Sequence, residues 1–133
     1  MKAIAIDTSA YSWAARGHPE IVERLEQIDT IYLSPVALGE LLAGFAKGHK
    51  TARNHALLRR FLRTPRVIVP PLTDETSERY AFIHASLRQR GSPIPTNDIW
   101  IAASAMQHGL RILTTDAHYQ QVIQVIVDYV EAS

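Results

Sequence analysis

Four carboxylates stand where an α/β chain concentrates chemistry: Asp7 after the run KAIAI, Glu40 in SPVALGELL, Asp98 in PTNDIWIAA and Asp116 in RILTTDAHY. Two follow short apolar strands and two lie at or near the start of expected helices. A parallel α/β fold would bring all four to one edge of its sheet, outside the strand C-termini, where ligand groups collect. Carboxylates about 5 Å apart repel by roughly 3 kcal/mol per pair at an effective dielectric near 20, so such a cluster stays ionised only beside a cation. Hard divalent ions that take oxygen ligands, Mg²⁺ or Mn²⁺, suit it.

Taken singly, each acid has an ordinary role. Asp7 would cap a helix over residues 8–15, Glu40 would be a solvated helix residue, Asp98 would favour a helix N-terminus through the dipole, and Asp116 would sit in a turn. Asp7 could also be a phosphoacceptor. Thr8 and Ser9 follow it without the second aspartate of a DxD phosphatase motif, and no lysine after Lys50 serves a receiver-like domain. The joint placement of the four carries the case for a site. The histidines, His18, His49, His55, His84, His108 and His118, form no i, i+4 pair, which speaks against a zinc-binding helix. His108 suits a helix C-terminus and His118 a surface place. There is no Gly-rich phosphate loop and no GxSxG elbow.

The elements that must position these acids are short apolar runs alternating with helical patterns: residues 3–6, 31–33, 67–69, 112–114 and 125–127. That alternation predicts parallel βαβ units and a doubly wound sheet. Ser34 is placed to cap a helix with Pro35 at its first position, and Ala37, Leu38, Leu41, Leu42 and Phe45 form its apolar stripe, with Glu40 off it. Thr73 or Asp74 caps a long helix that Gly91 stops. After Pro93 and Pro95, Thr96 is a plausible cap for a helix ending at Gly109.

At 133 residues the chain is expected to be one domain, with no repeat or linker to divide it. It has no cysteine, which excludes a disulfide framework and thiolate zinc sites. No run is long enough for a signal-peptide core or a membrane span, so a cytoplasmic place is expected. The formal net charge is only +1, but from Leu41 to Thr73 there is no acidic residue, while Lys47, Lys50, Arg53, Arg59, Arg60, Arg63 and Arg66 all fall there. That run is either a solvated helix face or a phosphate-contacting patch, with Arg59, Arg60 and Arg63 as candidate phosphate contacts.

The ordered set DTS at Asp7, LGELLAG around Glu40, PTNDIWIAASA around Asp98 and LTTDAHY around Asp116 resembles a PIN domain, specifically the VapC-type toxin ribonucleases, over essentially the whole chain. Tyr119 stands where an aromatic, commonly Phe, is usual. The resemblance implies a three-layer α/β/α fold around a mainly parallel five-stranded sheet. It implies a Mg²⁺- or Mn²⁺-dependent endoribonuclease whose catalytic acids are Asp7, Glu40, Asp98 and Asp116. Asp7, Asp98 and Asp116 would be the metal ligands, and Thr8, Asn97 and Thr114 would support them. It also implies an RNA substrate, a small cognate antitoxin, and homodimers or higher toxin–antitoxin assemblies. Tyr11, Trp13, Ile21, Val22, Leu25, Leu38, Leu42 and Phe45 are an apolar surplus, some of which would stay exposed for that partner. The competing reading is a non-catalytic nucleic-acid or partner-binding module, for which a cluster of negative charge offers no gain.

Overall fold

The computed structural model describes residues 2–132. Its elements run β1 (Ala3–Ile6), α1 (Thr8–Ala15), α2 (Pro19–Glu26), β2 (Thr30–Leu33), α3 (Pro35–Ala46), α4 (Thr51–Arg63), β3 (Val67–Ile68), α5 (Asp74–Gln89), α6 (Thr96–Gln107), β4 (Ile112–Thr114), a 3-10 turn (Ala117–Gln121) and β5 (Val127–Tyr129). The five strands form one sheet in the order β3-β2-β1-β4-β5, and every pairing is parallel. With helices flanking it, this is the expected α/β/α architecture.

Strand order decides where chemistry can sit. The chain moves outward from β1 to β2 to β3, then returns through α5 and α6 to lay β4 against the other side of β1. The segments leaving β1 and β4 therefore head in opposite directions and open a crevice at the switch point. Register sets what faces what: Ala5 pairs with Ile112 and Ile6 with Leu113, so the next residues, Asp7 and Thr114, emerge side by side.

Local chemistry starts and stops the helices much as expected. Asp7 caps α1 by accepting from the Ala10 amide, and Ser34 caps α3 by accepting from the Val36 amide, with Pro35 first in the helix. Thr73 opens α5 in a capping box with Thr76. Gly91 and Gly109 end α5 and α6 at φ +66° and +65°, a left-handed region in which a side chain is strained.

Two expectations shift. Thr96 is the first residue of α6 rather than its cap; Pro95 holds the cap position and offers no side-chain acceptor. The last strand runs over Val127–Tyr129 rather than residues 125–127. Val125 turns into the core ahead of it, and the strand includes Asp128, whose carboxylate takes a two-pronged bond from Arg111 at 2.6 and 2.9 Å. A paired charge extends a strand that an apolar run cannot mark.

The core lines both faces of the sheet through Ile4, Ile6, Ile31, Leu33, Ile112 and Leu113. Residues 101–105 of α6 are buried without a break, and Ala102, Ala103 and Ala105 let α6 lie close to its neighbours. Of the apolar surplus near the N-terminus, Tyr11, Ile21 and Leu25 are buried, Tyr11 edge-on to Phe61, and Leu42 is left 39% exposed. Among the described residues, no helix is long and apolar enough to cross a membrane.

Candidate active site

Asp7 is the most enclosed acid of the crevice, only 3% exposed at the end of β1. Its carboxylate takes the Ala10 amide at 2.9 Å, the Ser9 hydroxyl at 2.8 and 2.9 Å, and the Thr114 hydroxyl at 2.7 Å. Thr114 hands the network on, since its oxygen accepts from the Asp116 amide at 2.9 Å. Asp116 caps the 3-10 turn through the His118 amide, and the His118 ring then stands between two carboxylates, with Nδ1 3.1 Å from Asp116 and 3.2 Å from Asp98. The Tyr119 hydroxyl donates to Asp98 at 3.3 Å. On the far side, Asn97 donates to Glu40 at 3.2 Å, and Thr8, next to Asp7, donates to the other Glu40 oxygen. Asp7, Asp116 and Asp98 are thus linked through Thr114 and His118, and Glu40 completes the ring by way of Thr8 and Asn97, the chain neighbours of Asp7 and Asp98.

The four acids expected from the sequence are together, and so are Thr8, Asn97 and Thr114. Glu40 reaches the ring from the second turn of α3, whose buried residues Ala37 and Leu41 pin the helix to the core. Sequence reasoning missed Ser9, which bonds both Asp7 oxygens and accepts the Thr115 amide, and it undervalued His118. The hydroxyl run after Asp7 and the short step from Asp116 to His118 were the available signals.

Burial and like charge leave their mark on the acids. Burial, with a smaller push from Asp116, raises the Asp7 carboxyl to about 6 against the donors that favour its ionised form. Asp98 is raised too, first by burial and then by Asp116, while His118 and Tyr119 oppose the shift. The Tyr119 hydroxyl is pushed far up by burial and by Asp7 and Asp98, so it remains a donor. Acids whose ionised forms burial disfavours, with a lesser push from Asp116, are what a cation relieves. Oxygen atoms of Asp98 and Asp116 and a ring nitrogen of His118 all lie within 4.8 Å of one another, two carboxylates and an imidazole that fit a divalent cation.

Beside the ring a cleft of about 490 Å³ opens between α1, α3 and α4, bounded by Thr8 and Glu40 at the acidic end. Its cations are Arg16, Lys50 and Arg53; Arg53, Asn54 and Leu57 are spaced to share one face of α4, with Lys50 at the cap before it. Arg59, Arg60 and Arg63 do not line this cleft. They are exposed farther along α4, Arg59 and Arg63 on roughly the opposite face. Arg66 serves the fold, donating to the Leu25 and Ile28 carbonyls at 2.6 and 2.7 Å.

Fold and site together define a PIN domain, and the model of that family matches residues 4–124. The chain is 33% identical over 95 residues to Ribonuclease VapC4 of Mycobacterium tuberculosis, covering 71% of this chain and 73% of that one. It is 28% identical over 115 residues to Ribonuclease VapC2 of Rickettsia felis, covering 84% of each. The solved structure of VapBC2 from Rickettsia felis, bound to a DNA fragment from its promoter, superposes with a TM-score of 0.83 at 25% identity, over 97% of this chain and 98% of that one. The chain belongs to the PIN domain family, in its VapC group.

Proposed function

We propose that this chain is a divalent-metal-dependent endoribonuclease acting as the toxin of a toxin–antitoxin pair, one nuclease domain over residues 1–133 working in the cytoplasm. The closed ring of Asp7, Glu40, Asp98 and Asp116 carries the reading, since a module that only bound phosphate would be weakened by four clustered acids. The names of the VapC relatives as ribonucleases support the RNA substrate, and the VapBC2 complex supports a small partner protein that also contacts DNA. Self-association into a homodimer belongs to the same proposal.

Asp7, Asp98 and Asp116 would hold the cation, and a divalent ion bound there would make water more acidic and neutralise charge on the scissile phosphate. Glu40 is less enclosed than Asp7, and with both oxygens fixed by Thr8 and Asn97 it orients the attacking water and takes its proton. Ser9 and Thr114 keep Asp7 from rotating away, and Tyr119, still protonated, does the same for Asp98. Arg16, Lys50 and Arg53 hold phosphates of the strand lying in the cleft, and Arg59, Arg60 and Arg63 extend the positive surface to longer RNA. Cleavage leaves a 5′-phosphate and a 3′-hydroxyl.

The test is cleavage by the chain purified free of any partner, on RNA whose cut sites are first mapped by sequencing RNA ends after brief induction in cells. Cutting at those sites with Mg²⁺ or Mn²⁺, abolished by EDTA and by the co-expressed product of the neighbouring small reading frame, is expected. Undiminished cutting in chelator would sink the metal mechanism, and a growth-neutral chain that ignores its neighbour's product would remove the toxin role.

A further inference from the structure

We propose that His118 is a direct ligand of the divalent cation, through Nδ1, and that it biases the site towards Mn²⁺ over Mg²⁺; this rests on the metal reading of the same ring. Nδ1 is nearly equidistant from two carboxylates, 3.1 Å from Asp116 and 3.2 Å from Asp98. A donor with one hydrogen points well at one acceptor, and splitting it between two weakens both bonds. Three ligand atoms around one ion account for the spacing better. Neighbouring ligands of an octahedral ion with bonds of about 2.1 Å lie about 3 Å apart, which is the separation of Nδ1 from each carboxylate. The nitrogen and oxygens of the three residues all fall within 4.8 Å of one another, close enough to share an ion.

The backbone holds the ring there. Asp116 accepts the His118 amide at 2.9 Å, which sets the first turn of the 3-10 segment and fixes the histidine two residues beyond the acid. The next residue, Tyr119, is 1% exposed and anchors that turn in the core beneath Asp98. The side chain of His118 is itself about half exposed, so no packing demand explains why it leans over two acids. An imidazole nitrogen among oxygen donors raises affinity for Mn²⁺ more than for Mg²⁺, which prefers oxygen and gives up water reluctantly.

The experiment loads the full chain with Mn²⁺ and reads ¹⁴N couplings by pulsed electron paramagnetic resonance, with Mn²⁺ and Mg²⁺ affinities measured by calorimetry. The intact chain should show the coupling of a directly bound imidazole. His118→Ala should lose that signal and bind Mn²⁺ about tenfold more weakly, while Mg²⁺ affinity changes less than about twofold. His118→Gln, which keeps a polar side chain over the acids, should behave like the alanine variant, with thermal melts confirming that both fold. Mn²⁺ bound at full affinity without nitrogen coupling overturns the histidine assignment alone. Equal losses for the two ions overturn the selectivity. If Mn²⁺ does not bind at all, the metal reading fails with it.

Discussion

The acidic ring has two unlike halves. At the strand ends, Asp7 is almost sealed and takes three donors, the Ala10 amide and the Ser9 and Thr114 hydroxyls, and Thr114 also accepts the Asp116 amide. On the helix side, Glu40 is less enclosed and is held by two long-range side-chain donors, Thr8 and Asn97. Backbone register builds the first half and side-chain reach builds the second. A charge sealed between strands is costly until a cation arrives, whereas one at the mouth of a cleft can meet water and substrate. The strand-end half should therefore govern metal binding and stability, and the helix half chemistry alone.

The largest effects should come from the sealed half. Asp7→Asn or Asp116→Asn removes charge without volume and should lower turnover about a thousandfold, the scale of several kcal/mol of lost charge stabilisation. Near-normal cleavage by both folded variants would rule out the site. Glu40→Gln should cost about a hundredfold in kcat, as for a lost general base. Its metal affinity and melting temperature should stay close to those of the parent, and a metal-binding defect as large as that of Asp7→Asn would erase the distinction between the halves.

Thr114→Val should act on both quantities moderately. It removes the bond to Asp7 and strands the Asp116 amide, destabilising the fold by about 1–3 kcal/mol and slowing cleavage about tenfold. A fully stable Thr114→Val would show the register-built network to be slack. The smallest effects should be in the cleft: neutralising Arg16, Lys50 and Arg53 should flatten the salt dependence of RNA binding more than neutralising Arg59, Arg60 and Arg63 does, with kcat on saturating RNA nearly unchanged. Equal slopes for the two sets would mean that total charge, rather than the cleft, holds RNA.

The register-built half was the legible one. A parallel sheet brings strand C-termini together whatever the side chains do, so Asp7 and Asp116 could be paired from two apolar runs. Glu40 and Asp98 were legible only jointly with the strand-end acids, because an acid on a helix has an ordinary reading until a neighbour is known. Ser9, His118 and Tyr119 act through hydrogen bonds that only the folded crevice completes; the hydroxyl run after Asp7 and the short step from Asp116 to His118 hinted at the first two without fixing their partners. The basic run is continuous in sequence, but α4 turns it to several sides, and Lys50 and Arg53 are the members of it that line the cleft. The last strand slid by two residues because its Asp128 is neutralised by Arg111, a partner chosen by tertiary contact.

Asp7 is held at a cost that a divalent cation should remove, and melting with and without Mn²⁺ measures that cost. Folding raises the Asp7 carboxyl from near 3.8 to about 6, so the folded chain keeps a proton that the unfolded chain releases between those values. Stability of the metal-free protein should therefore fall as pH rises from about 4 to about 6, by up to about 3 kcal/mol, and stay low at neutral pH. At pH 7.5, Mn²⁺ at a hundredfold over its Kd should raise the melting temperature of the parent by roughly 8–12 °C. Asp7→Asn should start higher, lack the decline between pH 4 and 6, and respond little to Mn²⁺. A parent that ignores the ion, or an Asp7→Asn variant that gains as much from it, would contradict the account.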